Sequence, residues 1–280
     1  MNKGLILGFF DGIHKAHRAV IESAFKYTDD VTLITFKESP SVYFNQTAEY
    51  IMPRSESIEK IKSLGVKEVV ELEFPEIANI RAGEYVRELV EKYNPISISS
   101  GYNHTFGYHK EGNTELLKNL SEKYGYKYEC ISPVTENGEI VSSTLIKDYL
   151  KNGKVDYANS LLESRFSLAG TVIHGAKIGR TIGFPTANIN YPKEIVKLPF
   201  GVYCAKVDGR KSVMNWGMKP TVNNTLEPVI EVHILGFDGD LYGKNIRVEV
   251  LKQIRTERKF NGLNELKEQI KRDVEECLKL

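Results

Sequence analysis

Cysteine is scarce in this chain: 3 of 280 residues, at Cys130, Cys204 and Cys277. The count is odd, the spacing is wide and no CxxC pair occurs, which speaks against a structural zinc site and fits a reducing compartment. Net charge is nearly missing too, +1 from 38 basic and 37 acidic residues. A protein built around a long nucleic-acid track needs a basic excess, so no nucleic acid is expected among the partners. A small phosphate ligand needs only a few local donors. No run approaches the ~20 apolar residues of a membrane span, and the opening MNKGLILGFFDG is apolar too briefly for a secretory signal. The chain therefore reads as soluble and cytoplasmic, with no membrane partner. Internal repeats, low-complexity linkers and a disordered tail are likewise missing, and no feature fixes an oligomeric state.

What is present is enough apolar sequence, 41%, to bury a sizeable core, in a chain long enough for two domains. In the first half KGLILGFF, VTLITF, VKEVVELEF, PISISSG and YKYECISPV read as strands. Between them HKAHRAVIESAFKY, SESIEKIKSLG, AGEYVRELVEKY and GNTELLKNLSEKYG carry helical spacing. Such alternation predicts an α/β domain, a parallel Rossmann-like sheet with helices on both faces and ligands beyond the carboxyl ends of its strands. Two more helical stretches follow, STLIKDYLKNG and VDYANSLLES. From Arg165 onward the strand-like runs SLAGTVIHG, GVYCAKVDG, KSVMNWGM, PVIEVHILGF and NIRVEVLKQI are punctuated by Gly, Pro and Asn. Strands without helices between them predict an antiparallel sheet or a small antiparallel β-barrel, and one long C-terminal helix, LNELKEQIKRDVEECLKL, ends the chain. The expected domains are 1–163 and 164–280.

The stretch LGFFDGIHKAHRAV (Leu7–Val20) leaves a strand through glycine and enters a helix with an acid and two histidines. Free N–H groups at a helix start attract anions. Gly8 and Gly12 permit close backbone approach, and His14 and His17 share a face of the first turns. Two imidazoles there can donate hydrogen bonds to charge building on a phosphoryl group. An ordinary helix start with surface histidines and Asp11 as its cap accounts for the same residues equally well.

GFFDGIHKAH also resembles the GxFDGxHxGH signature of the bacterial bifunctional FAD synthetase family. The amino-terminal module of that family is an FMN adenylyltransferase of the HxGH nucleotidyltransferase class. SGYNHTFG (Ser100–Gly107) is similar to its GxNFxFG loop, and VSSTLIKDYLKNGKVDYANSLL resembles its VSSTxIRxxLxxGxVxxAxxLL segment. The resemblance implies that Gly8, Phe10, Asp11 and Gly12 form part of an ATP site. It implies that His14 and His17 bind ATP phosphates and stabilise charge during adenylyl transfer. Asn103 would hold adenine or ribose, and Ser143, Thr144 and Lys147 the triphosphate; Ser142 or Ser143 also suits the cap of that helix. The implied reaction is in-line attack of the FMN phosphate on the α-phosphorus of ATP, with pyrophosphate leaving. The chain departs from the pattern at several points. Ala16 replaces the glycine of HxGH, and Glu38 stands where TFxPxP has its first proline. Lys147 replaces an arginine, which turns a bidentate contact into a point charge.

GTVIHGAKIGRTIGFPTANI (Gly170–Ile189) is a glycine-rich arch of the kind that lays backbone N–H groups on a polyphosphate. A plain β-hairpin accounts for the glycines alone. With its Pro-Thr-Ala-Asn ending it resembles the riboflavin kinase signature GxVxxGxxxGRxxGFPTAN, followed in family order by GVYCAKV, NWGMKPT, VIEVHILGFDGDLYG and IRTERKF. The resemblance implies Mg2+ and ATP phosphates at Thr186 and Asn188, whose oxygens suit that hard cation. It implies Glu231 as the general base for the ribityl 5′-hydroxyl, which attacks the γ-phosphorus of ATP. Gly175, Lys177 and Arg180 flank the implied ATP loop, with Arg180 as the expected phosphate contact or else a plain surface charge. Arg255 either binds flavin phosphate or ties the last strand to the final helix. His233 shares the face of Glu231 by strand alternation and is taken as structural. Trp216 and Tyr242 are candidates to stack on a flavin ring.

The expected protein thus turns riboflavin and ATP into FMN, then FMN and a second ATP into FAD, with flavin as substrate and product. One other reading is a riboflavin kinase whose first domain has weakened or lost adenylyl transfer. Another is a non-catalytic flavin- or nucleotide-binding regulatory protein, which would not need the general base that Glu231 offers.

Overall fold

In the computed structural model, residues 3–44, 46–175, 178–220 and 226–280 are described. The chain divides into two compact units, Met1–Ser143 and Thr144–Leu280. The first runs β1 (Lys3–Leu7), α1 (Lys15–Ala24), β2 (Val31–Phe36), α2 (Pro40–Tyr43), α3 (Arg54–Ser63), β3 (Glu68–Leu72), α4 (Phe74–Ile77) and α5 (Ala82–Tyr93). It continues with β4 (Pro95–Gly101), α6 (Thr114–Tyr124), β5 (Lys127–Ile131) and the hairpin β6 (Thr135–Glu136) and β7 (Glu139–Ile140).

Its sheet is parallel throughout, in the order β3-β2-β1-β4-β5. β1 holds the centre because it is apolar on both faces. Leu5 and Leu7 pack with Ile34, Val86 and Ile98 on one side, and Ile6 packs with Ile13, Ile21 and Leu33 on the other. The connections leave β1 and β4 toward opposite edges of the sheet, which opens a crevice beyond their carboxyl ends. The segments Gly8–His14 and Asn103–Phe106 both begin there. β1 stops at Leu7, short of the expected strand, because the backbone turns into the left-handed region at Phe10 (φ +60°). The short helices α2 and α4 are not among the expected elements; each starts on a proline-containing first turn and is too brief to show a period.

The second unit begins with α7 (Ser143–Lys151) and α8 (Val155–Leu161). It continues through β8 (Ser167–Ile173), α9 (Ile178–Thr181), β9 (Ala187–Asn190), β10 (Gly201–Val207), β11 (Arg210–Pro220), β12 (Leu226–Ile234) and β13 (Asn245–Thr256) to α10 (Leu263–Lys279). The strands close an antiparallel barrel in the order β10-β11-β12-β9-β8-β13. Asn159 ties α8 to the barrel: its amide donates to Val250 O (2.9 Å) and accepts from the Phe166 N–H (2.7 Å). This unit therefore starts before the change of rhythm at Arg165.

Cys204 on β10 and Cys277 on α10 form a disulfide, whereas Cys130 is free and exposed. The partners lie 73 residues apart and meet only because the last helix returns to the barrel. The cysteine count therefore does not by itself speak for a reducing compartment. Among the described residues no helix is long and apolar enough to cross a membrane.

Candidate active sites

The cap of α1 is His14, not Asp11. His14 Nδ1 accepts the His17 N–H at 3.2 Å, while Asp11 Oδ1 accepts the N–H of Ile51 at 2.9 Å. With Nδ1 used as an acceptor, a neutral His14 carries its proton on Nε2. Ser143 Oγ lies 3.4 Å from that nitrogen and donates its own proton to Asp11 O (2.9 Å), so toward His14 it is an acceptor.

The rings of His14 and His17 stack with centroids 3.5 Å apart, and Phe10, buried behind them, lies 4.6 Å from His17. Burial pushes His14 down to about 4. Burial, then the charge of His14, holds His17 well below the ordinary histidine value. The pair is neutral near pH 7 and acts through hydrogen bonds.

The glycines serve packing at close range. A Cβ on Gly12 (φ +58°) would stand 2.5 Å from Ile51 Cβ, and one on Gly8 2.6 Å from the Phe10 ring. Beside Gly8 opens a cavity of about 530 Å3 walled by Phe36, Tyr43, Phe44, Phe74 and Phe106. Asn103 follows β4 and is exposed. His104, stacked on Phe106 and brought to about 4 by burial, lines the same cavity. Glu38 is exposed, Ala16 half-buried in the first turn of α1. On α7, Thr144 is exposed and Lys147 half-buried.

In the barrel, antiparallel register sets Glu231 of β12 opposite Asn188 of β9 on one side and Asn215 of β11 on the other. Two cavities flank this row. One, of about 620 Å3, is lined by Arg180, Thr186, Ala187, Val232 and Tyr242. The other, of about 320 Å3, is lined by Thr186, Asn215, Glu231, His233, Arg255 and Asp273, among others. Thr186 belongs to both walls. Gly175 leaves room for Asn188, since a Cβ there would stand 2.3 Å from Asn188 Nδ2. His233 Nδ1 is 2.7 Å from Pro185 O, which fixes the loop that presents Thr186.

Arg255 forks onto Asp273 of α10, Nε to Oδ1 at 3.0 Å and Nη2 to Oδ2 at 2.8 Å. Trp216 is 1% exposed and packs on Tyr191 in the core, so it is not a flavin-stacking surface. Tyr242, at the rim of the larger cavity, lies against His174 with ring centroids 3.9 Å apart and planes tilted by 33°. Lys177 lies outside the described residues. Asn215 was not singled out by the motif NWGMKPT; only strand pairing brings it beside Glu231.

A helix-start histidine pair at the switch point of a parallel sheet, and a carboxylate in one of two cavities that share the wall at Thr186, mark a two-unit transferase of nucleotide-activated groups. The family model for FAD synthetase matches residues 2–145 and that for riboflavin kinase residues 162–280. The chain is 34% identical, over 98% of its own length and 91% of the relative's, to the bifunctional riboflavin kinase/FMN adenylyltransferase of Bacillus subtilis (strain 168). The enzyme of the same description from Haemophilus influenzae is 32% identical over 97% of this chain and 92% of the relative. The chain belongs to the bifunctional riboflavin kinase/FMN adenylyltransferase family. A crystal structure from Streptococcus pneumoniae, described as a macrolide-efflux protein, matches with a TM-score of 0.91 at 30% identity, over 100% of this chain and 95% of that one.

Proposed function

We infer that the two units run consecutive reactions with one ATP each: the second phosphorylates riboflavin to FMN, and the first adenylylates FMN to FAD with release of pyrophosphate. The observation that carries the kinase half is the position of Thr186, on the wall common to both barrel cavities and next to the Asn188–Glu231 pair. Phosphoryl transfer needs donor and acceptor in line at one point. ATP is assigned to the larger cavity beside Arg180, and the flavin to the smaller one beside Glu231. Glu231 takes the proton of the 5′-hydroxyl as that oxygen attacks the γ-phosphorus. Thr186 and Asn188 would hold Mg2+ by their side-chain oxygens. The glycine at 175 clears the space that the Asn188 side chain occupies, and two protein oxygens suit an ion that takes its other ligands from phosphate and water. When bound, the ion offsets charge on the phosphates.

In the first unit, His14 Nε2–H and the N–H groups at the start of α1 are the donors for charge developing on the α-phosphate. The aromatic walls of the 530 Å3 cavity suit the isoalloxazine ring of FMN. We assign residues 1–163 to adenylyl transfer and 164–280 to the kinase; the matched spans, 2–145 and 162–280, support that order, while residues 144–163 pack with the second unit. A kinase with a silent first unit, or a binding protein without turnover, finds no support: the histidine pair, its cap and the Glu231 row are all present.

Chromatography of flavins tests this directly, after incubation with riboflavin, ATP and Mg2+ and, separately, with FMN, ATP and Mg2+. FMN followed by FAD is expected. Failure to form FAD from supplied FMN would sink the first half of the reading, and no product from riboflavin the second.

A further inference from the structure

The terminal helix is weakly buried for its length. Of the 17 residues of α10, only Asp273 and Cys277 are buried. A helix on a barrel is ordinarily held by an apolar stripe. Here the stripe is short, Leu266, Ile270 and Val274, each half-buried, and it is supplemented by the Arg255–Asp273 fork, the Cys204–Cys277 disulfide one turn beyond it, and Lys211 Nζ donating to the Leu278 carbonyl near the chain end. Cys204 is fully buried on β10, so the covalent link fastens the helix to the rigid wall of the barrel.

The same helix walls the smaller cavity. Leu266, Ile270 and Asp273 line it from α10, facing Asn215, Glu231 and His233 on the barrel strands. The reacting groups belong to the barrel, while one side of the binding space belongs to a helix with a redox-sensitive anchor.

We propose that Cys204 and Cys277 are positioning residues of the riboflavin site: their disulfide seats α10 as one wall of the smaller barrel cavity, so riboflavin binding depends on the thiol state of this pair. The proposal rests on the assignment of that cavity to the flavin. Opening the link takes two electrons and two protons from a dithiol: the Cys204–Cys277 S–S bond breaks, two thiols form, and the dithiol closes to its own disulfide. The helix then keeps the Arg255 fork but loses its covalent tie. Its three lining side chains must be ordered again each time riboflavin binds.

The test uses the full chain. Kinase initial rates are measured against riboflavin concentration, at saturating ATP and Mg2+, for the oxidised protein, the dithiothreitol-treated protein and C277S, with thiols counted by mass after alkylation in denaturant. FMN adenylylation in the same samples checks that the first unit is intact. The riboflavin KM is expected to rise about tenfold in C277S and in the reduced protein, the cost of ordering several side chains at binding. The kcat should stay within about twofold, because the loss falls on binding and not on the transferring groups. C277S should not respond to dithiothreitol. An unchanged riboflavin KM in C277S overturns the proposal, and so does a fall in kcat at constant KM. Asn215→Trp, which fills the cavity from β11, separates this failure from that of the cavity assignment. If N215W leaves the riboflavin KM unchanged, the flavin does not bind there. If N215W abolishes riboflavin use while C277S is silent, only the role of the link falls.

Discussion

His14 and His17 lie ring on ring, 3.5 Å between centroids and tilted by 15°, with the His14 ring capping the helix that carries both. The arrangement suits two uncharged imidazoles, and burial holds the pKa of His14 down at about 4 and that of His17 well below its ordinary value. In the unfolded chain both titrate near 6.5. Because the folded values are the lower ones, the unfolded state binds more protons in the interval, so stability rises with pH there. It is complete above about pH 6.5 and is lost as the pH falls toward about 4, by roughly 1.4 kcal/mol per histidine per pH unit. His104, lowered to about 4 by the same cause, adds to the effect. Thermal unfolding between pH 7 and pH 5 should follow this slope, and His14→Asn, which keeps a capping side chain, should flatten it. A first-unit melting point insensitive to pH over that range contradicts the buried neutral pair.

The same substitution addresses catalysis. His14→Asn removes the Nε2–H donor that the cap leaves directed at Ser143. Formation of FAD from supplied FMN should fall about 10²- to 10³-fold, the usual effect of losing one preorganised donor. Riboflavin phosphorylation serves as the internal control and should be unaltered. If FAD formation keeps most of its rate, His14 is a cap and nothing more.

Glu231 stands between Asn188 and Asn215 with no second carboxylate in its strand-pair row. Glu231→Gln preserves shape and removes the proposed base. Kinase kcat should drop about 10²- to 10⁴-fold, while riboflavin still quenches on binding and FMN adenylylation continues. Near-normal turnover in E231Q would move the base elsewhere in the cavity.

Much of this architecture is legible along the chain because its signals are local. Leu5 and Leu7 against Ile6 announce a strand buried on both faces, and the Gly, Pro and Asn punctuation after Arg165 announces the barrel. What was hidden depends on pairs far apart. Asp11 has the right chemistry for a cap, yet it bonds Ile51, 40 residues on, and leaves the cap to His14. The aromatic cavity draws Phe36, Tyr43, Phe74 and Phe106 from separate elements, none of which marks it alone. Trp216 looks like a stacking surface until its strand alternation turns it inward against Tyr191. Cys204 and Cys277 meet only after the barrel has closed.

Gly175 offers a test of the proposed metal-and-phosphate side. A methyl group there would stand 2.3 Å from Asn188 Nδ2, and the amide must swing away. Gly175→Ala should raise the Mg2+ concentration needed for half-maximal kinase activity and lower kcat about tenfold, in the range seen for small misplacements of a positioned group. FMN adenylylation should not change. A normal Mg2+ dependence would remove Asn188 from the proposed ion site.

Gly12 tests how the first site is braced. Its φ of +58° disfavours a side chain, and a Cβ would stand 2.5 Å from Ile51 Cβ, in the segment whose N–H is held by Asp11. Gly12→Ala therefore carries two penalties, about 1–2 kcal/mol for the left-handed backbone and about 1–3 kcal/mol for overpacking. Only the second depends on Ile51. In a double-mutant cycle, Gly12→Ala combined with Ile51→Ala should be less destabilised than the sum of the single changes, by about the overpacking share. If the two effects simply add, the closeness of Ile51 is not what demands glycine at this position, and the backbone angle alone accounts for it.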